Sequence, residues 1–256
     1  MNQEERVKSI VDYLKFNGKI SMEDICSLYD VSYDTARRDL VKMETDGLIV
    51  RVRGGAILPS MTKHINSYKD RLTEADNKRS IAVAATSLIQ NGDYILLDTG
   101  TTTQYIAEFM TTVDNVIVTN SIDIAAVLCD KPQTAIHLLG GMLNTWHRYA
   151  YGPRTVEMLN DIKVDKLFLG TCGISIEGLF APTVEEAYLK REMIKRANQV
   201  ILLADSAKFE KHLFHRVCPF DAIDMLITDV EPKAPFGKIF SDFHIQVVVA
   251  SDRGVS

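Results

Sequence analysis

The sequence predicts an α/β protein in two unequal parts: a small N-terminal winged helix-turn-helix, then a larger domain built on a mostly parallel sheet. Three observations predict it. Residues 20–57, ISMEDICSLYDVSYDTARRDLVKMETDGLIVRVRGGAI, run two short amphipathic helical patterns, a tight turn and a basic hairpin pattern together without spare residues. Residues 59–77 then turn polar and lose periodicity, as a linker does. Beyond them, continuous apolar runs alternate with helical patterns, the signature of strands covered on both faces. The expected boundaries are therefore 1–58, 59–77 and 78–256. A chain of 256 residues, 46% of them hydrophobic, has room for one or two buried cores.

In the first helix Val7, Ile10, Val11 and Leu14 repeat at i, i+3, i+4 and i+7, and Asn17-Gly18 supplies a left-handed stop. Ser21, with Asp24 three residues on, caps the second, whose apolar stripe is Met22, Ile25, Cys26 and Tyr29. Asp30-Val31 makes the turn. Ser32 caps the third helix, Asp34 complements its positive end, and Ala36, Leu40 and Met43 face inward. Ser32, Tyr33, Asp34, Thr35, Arg37 and Arg38 occupy the start of that helix, where a recognition helix presents its residues to the major groove. An arginine there grips guanine with a planar fork or clamps phosphate, and spacing does not say which arginine does which. The plainer alternative is a solvated face with ion pairs to Asp34 or Asp39. Residues 48–57 read as strand, glycine turn and return strand, with Arg51 and Arg53 on one face: a wing suited to backbone or minor-groove contact.

Charge argues against a generic DNA binder. The net charge is -5, and residues 1–58 hold nine Lys and Arg against ten Asp and Glu. Binding must then depend on where Arg37, Arg38, Arg51 and Arg53 are placed, with modest non-specific affinity and a small salt dependence. Cys26, Cys129, Cys172 and Cys218 are widely spaced, with no CxxC pair, and His212 and His215 lack further ligands, so no metal site is implied. No long apolar run marks a signal peptide or membrane span, which points to the cytoplasm and reduced thiols.

In the larger domain, strands are expected at 94–97, 116–118, 135–139, 166–169, 200–204, 225–227 and 245–249. Ligands of such sheets bind beyond the carboxyl ends of strands. There Asp98, Thr99, Gly100, Thr101, Thr102 and Thr103 leave one strand and open a helix, with amides, hydroxyls and a close backbone fit for a phosphate; an ordinary threonine-rich N-cap reads the same way. The loop is neither a Walker loop nor a GxGxxG fingerprint. Asn120 and Gly141 follow the next two strands. Asp205 and Lys208 leave a later strand end together, Lys208 as a point charge for phosphate or as a solvent lysine.

VSYDTARRDL followed by GLIVRVRGGA resembles the signature of the DeoR family of bacterial transcriptional regulators, and SYKDR, LDTGTTT, VTNS, LGG, YGP, EEAYLKREMI, LLADSAKF and IDMLITD keep that family's order across nearly the whole chain. The resemblance implies an effector domain similar to the ribose-phosphate-isomerase and acetyl-CoA-transferase class, sensing a phosphorylated sugar or related metabolite. It implies Asp98, Gly100, Thr101, Thr102, Asn120, Gly141, Glu186, Lys190 and Lys208 as effector contacts, although Thr183 to Glu186 also spells a capping box that explains Glu186 structurally. Three positions depart from the family. Arg53 stands where many members have histidine, Glu210 where many have glycine, and Cys172 in Gly170-Thr171-Cys172-Gly173 where an acidic residue is common. In isomerase relatives a carboxylate near this loop transfers protons, and a neutral thiol in an apolar setting substitutes poorly, so catalysis is disfavoured.

The expectation is a repressor of a carbohydrate operon, without cofactor, metal or membrane partner. As a homo-oligomer, dimer or tetramer, it would hold two readers on a palindromic or repeated double-stranded operator, released by a phosphosugar. Two other readings compete: a sugar-phosphate isomerase-like enzyme with an accessory helical domain, and a constitutive DNA binder whose second domain only oligomerises.

Overall fold

The computed structural model describes residues 2–17, 19–46, 48–52, 54–58, 75–131, 133–211 and 213–250. The chain divides into two compact units, residues 1–65 and 66–256. Gly18, Gly47, Arg53, His212, the SYKDR segment and residues 59–74 of the expected linker lie outside the described residues.

The first unit contains α1 (Gln3–Asn17), β1 (Lys19–Ser21), α2 (Met22–Tyr29), α3 (Tyr33–Thr45), β2 (Val50–Val52) and β3 (Gly55–Ile57). Helix α2 starts with a complete capping box: Ser21 Oγ accepts from the Asp24 amide and Asp24 returns a bond to the Ser21 amide. It ends at Asp30, which adopts the left-handed conformation at φ 48°. Ile10, Leu14, Ile20, Ile25, Ala36, Leu40, Met43 and Ala56 form the core, so each expected stripe faces the same interior. Two features differ from the sequence expectation. A third strand, β1, joins the wing, giving the order β1-β3-β2, antiparallel throughout. Gly55 belongs to the return strand rather than the turn. A Cβ there would run into the Ile20 carbonyl oxygen and come within 2.9 Å of Ser21 Cα, so its value is the close approach of β1 and β3.

In the second unit the main sheet has seven parallel strands: β4 (Tyr94–Leu97), β5 (Val116–Thr119), β6 (Ala135–Leu138), β9 (Val164–Gly170), β12 (Ala197–Leu203), β14 (Met225–Thr228) and β15 (Gln246–Val249). Their order is β15-β14-β12-β9-β4-β5-β6. Alternate strand residues feed two cores. Ile95, Leu97, Ile117, Phe168, Ile201 and Ile227 pack with α4 (Ala75–Thr86), α5 (Thr101–Phe109) and α6 (Ile122–Leu128). Leu96, Val118, Leu167, Leu169, Leu202 and Leu226 pack on the other face with α7 (Pro153–Leu159), α8 (Val184–Lys195) and α9 (Phe236–Asp242). Both faces being covered explains why the strands read as unbroken apolar runs.

Two small sheets were not expected: a hairpin of β7 (Met142–Asn144) and β8 (Tyr149–Tyr151), and a sheet β10 (Gly173–Ser175), β11 (Gly178–Ala181), β13 (His215–Cys218). Helix α4 also begins inside the expected linker, at Ala75, and Asn77 Nδ2 donates to Asp229 Oδ2 at 2.8 Å. Its first turn is polar and carries no apolar stripe before Ile81, which hid it in the sequence.

Chain order places the site. From β4 the chain builds outward through β5 to β6, then returns to the other side of β4 as β9 and builds outward through β12, β14 and β15. The reversal lies between β4 and β9, a topological switch point, where ligands of open parallel sheets sit at the carboxyl edge.

Substituting Gly55 with alanine is expected to disrupt the β1-β3 pairing and lower the stability of the N-terminal domain while leaving the second domain's unfolding unchanged. Domain-resolved calorimetry or amide exchange checks this; unaltered protection of the N-terminal domain would contradict the packing argument.

Candidate DNA-reading surface and effector cleft

In the first unit, α3 turns Ala36, Leu40 and Met43 inward and leaves Tyr33, Asp34, Arg37 and Arg38 exposed. Arg37, Arg38, Asp34, Val41 and Lys42 line a shallow groove. Asp39, offered above as a surface partner for the arginines, is instead 1% exposed. Arg6 Nε lies 2.6 Å from its Oδ2, and Gln3 Nε2 donates to Oδ1 at 2.8 Å. The fold thereby removes one acid from the reading face. Ser32 and Thr35 engage each other: the Ser32 hydroxyl accepts from the Thr35 amide and lies 2.9 Å from the Thr35 hydroxyl. Arg51 is tied to α3, its amide donating to Glu44 Oε1 at 3.3 Å and its guanidinium 3.6 Å from Glu44 Oε2. This exposed pair orients the wing more than it stabilises it.

In the second unit a cleft opens where the switch point predicts. After β4 it is lined by residues 99–103, at and beyond the end of β9 by Gly170, Thr171 and Cys172, and at and beyond the end of β12 by Leu203, Asp205 and Lys208; α4 adds Lys78, α8 adds Glu186 and Lys190, and the β7-β8 hairpin adds His147 and Tyr149. Gly100 is the N-cap of α5 and provides no side-chain cap, so the helix's first amides point to the cleft end with their partial positive charge. Thr103 Oγ1 donates to the Gly100 carbonyl at 2.9 Å. Thr99 Oγ1 is buried without a hydrogen-bond partner among the described residues.

Beneath this loop lies a buried ion pair. Lys190 Nζ bonds Asp98 Oδ2, donates to the Gly170 carbonyl at 3.0 Å and lies 3.7 Å from Glu186 Oε1. Asp98 Oδ2 also accepts from the Gly170 amide at 3.0 Å. Burial works against the ammonium, but the carboxylates of Asp98 and Glu186 outweigh it and hold Lys190 protonated, above its ordinary range. Burial, then the charges of Glu186, Cys172 and Asp98, push the Tyr149 phenol up as well, so it remains a neutral hydroxyl able to donate.

Of the residues expected at the effector site, Gly100, Thr101, Thr102, Thr103, Glu186, Lys190 and Lys208 line this cleft, and Asp98 lies directly under it. Asn120 and Gly141 do not line it. Asn120 is buried and holds the hairpin, its side-chain Nδ2 donating to the Ala150 carbonyl at 3.2 Å and its main-chain carbonyl accepting from the Ala150 amide at 2.8 Å. Gly141, at φ 155°, leaves room that a Cβ would fill against Thr155 Oγ1 and, at 2.6 Å, the Tyr151 carbonyl oxygen. The capping box at Glu186 is half present: its amide donates to Thr183 Oγ1 at 3.2 Å, while its carboxylate turns into the cleft.

Cys172 is not in an apolar setting either, since its Sγ is 3.4 Å from Glu186 Oε1. Glu210 is exposed and forms no ion pair with Lys208 among the described residues. Lys78, His147 and Tyr149 were missed. Lys78 reads in sequence as one more charge at the edge of a linker, and His147 and Tyr149 reach the cleft through a hairpin too short to show as two strands.

The comparisons with known proteins agree with this architecture. Residues 6–62 match the model for the DeoR-like helix-turn-helix domain, and residues 73–230 match the DeoR C terminal sensor domain. The HTH-type transcriptional repressor GlcR of Bacillus subtilis is 44% identical over 256 residues, 99% of both chains. The glycerol-3-phosphate regulon repressor of Escherichia coli K12 is 30% identical, covering 96% of this chain and 99% of that protein. Among solved structures, ribose 5 phosphate isomerase A of Neisseria gonorrhoeae superposes with a TM-score of 0.38 at 14% identity, over 53% of this chain and 54% of that one, too partial a likeness to bear on activity. With a helix-turn-helix domain matched over residues 6–62 and a sensor domain matched over residues 73–230, the chain belongs to the DeoR family of DNA-binding transcriptional regulators.

Proposed function

We propose that this protein is a repressor of a carbohydrate-metabolism operon whose affinity for double-stranded operator DNA is lowered when a phosphorylated sugar or a related metabolite occupies the cleft. The observation that carries the reading is the uncapped first turn of α5, with the hydroxyls of Thr99, Thr101 and Thr102, opening at the switch point into a cleft shared with Lys78 and Lys208. Helix amides, hydroxyls and lysines together are what a phosphate group requires. Glu186, on the same cleft, is an acceptor for sugar hydroxyls. The relatives' names point to the same pathway class, being repressors named for glycerol-3-phosphate and aga genes.

The mechanism is linkage. A ligand that binds the DNA-free state more tightly weakens DNA binding by the same coupling free energy, about 1–3 kcal/mol or roughly five- to 150-fold in typical regulators. A homo-oligomer, dimer or tetramer, would present two α3 helices to a palindromic or repeated site. In this reading the protein acts as a sensor rather than a catalyst, in the cytoplasm. Among the described residues no helix is long and apolar enough to cross a membrane, and no cluster of His, Cys, Asp and Glu fits a metal ion.

Titrating a panel of phosphorylated sugars against the full-length protein bound to DNA is expected to find one that weakens binding and is returned chemically unaltered. A ligand shown to bind but leaving DNA affinity unchanged would reject the coupling, and turnover would favour the enzyme. Lys208→Ala should blunt the response without reducing DNA affinity; an undiminished response would remove Lys208 from the site.

Arg37→Ala and Arg38→Ala should each weaken DNA binding, by about 1–3 kcal/mol for whichever contacts a base edge, with folding intact because both side chains are exposed. Fluorescence anisotropy checks this, and wild-type affinity in both variants would exclude α3 as the reading helix.

A further inference from the structure

Val41 stands where folding supplies no reason for an apolar side chain. Successive residues of α3 advance by roughly 100°, which places Ala36, Leu40 and Met43 on the core face and Val41 on the outward face among Asp34, Arg37 and Arg38. Val41 is 42% exposed and takes no part in the core of its unit. As a β-branched residue it also contributes less to helix formation than alanine or lysine would. Single exposed apolar residues are ordinary on protein surfaces. This one, however, lines a groove whose other walls, Asp34, Arg37, Arg38 and Lys42, are all charged, on the face that carries the proposed DNA contacts.

In the major groove the apolar feature that distinguishes one base from the others is the thymine C5-methyl group. An arginine or an aspartate cannot read it by hydrogen bonding. We propose that Val41 packs on the methyl of a thymine in the operator and so determines specificity at that base pair. This rests on α3 being the recognition helix. Residues 37 and 41 are about 6 Å apart along the helix axis, so the thymine lies within one or two base pairs, of about 3.4 Å each, of the pair contacted by Arg37.

A duplex enriched from a random-sequence pool by the full-length protein provides the probe, and each thymine in it is replaced singly by uracil, which removes the methyl and nothing else. The wild-type protein is expected to lose about three- to tenfold in affinity at one thymine, and Val41→Ala to be indifferent to that same replacement while still binding the duplex. Wild-type indifference to every replacement, or equal sensitivity in Val41→Ala, would overturn the proposal while leaving DNA binding by α3 standing. Failure to enrich any duplex would overturn the DNA-binding reading and this inference with it.

Discussion

The Lys190 ammonium, buried at 3% exposure between the carboxylates of Asp98 and Glu186, is the constraint around which the sensor domain is arranged. Its contacts tie α8 to the carboxyl ends of β4 and β9, the two strands that flank the switch point. A charge so far from water persists only with close partners, which is why the pair fixes loop positions that a hydrophobic contact would leave adjustable. It also sets the polarity of the cleft. Lys190 is committed to protein carboxylates, so the cations lining the cleft are not equivalent, and the phosphate contacts proposed above rest on the α5 amides and Lys208 rather than on Lys190.

The reading domain follows a similar economy of charge. Its sequence carries no cationic excess, yet the outward face of α3 is locally basic, with Arg37, Arg38 and Lys42 beside Asp34, because Arg6 draws Asp39 into the interior. Placement rather than total charge makes the surface suitable for a duplex. Such a surface would rely on specific contacts more than on counterion release, which suits the ligand-driven release proposed above.

Much of this was legible in the sequence because it rests on local rules. The stripes of α1 to α3, the Ser21 and Ser32 caps and the seven parallel strands each follow from periodicity, capping chemistry or two-sided burial. What stayed hidden depends on long-range contacts. Nothing near Lys78 marks it as a cleft residue, nothing near Asp39 shows that Arg6 will bury it, and the β7-β8 hairpin has too few residues to announce the strand that delivers Tyr149. Asn120 and Gly141 occupy suggestive positions after strands, but Asn120 and Gly141 meet the backbone of β8 and not the cleft. A loop's place at a strand end narrows the candidates; only packing decides which side chains reach the ligand.

The most direct measurement is a double-mutant cycle on the buried pair, with denaturant unfolding of the sensor domain measured for wild type, Asp98→Asn, Lys190→Met and the combination. If the pair is the organising constraint, Lys190→Met, which strands the carboxylates of both Asp98 and Glu186, costs about 3–5 kcal/mol, Asp98→Asn, which leaves Lys190 facing Glu186, costs less, and the double variant loses less than their sum. Losses that simply add would show that the two residues act independently and that the cleft is held together by something else.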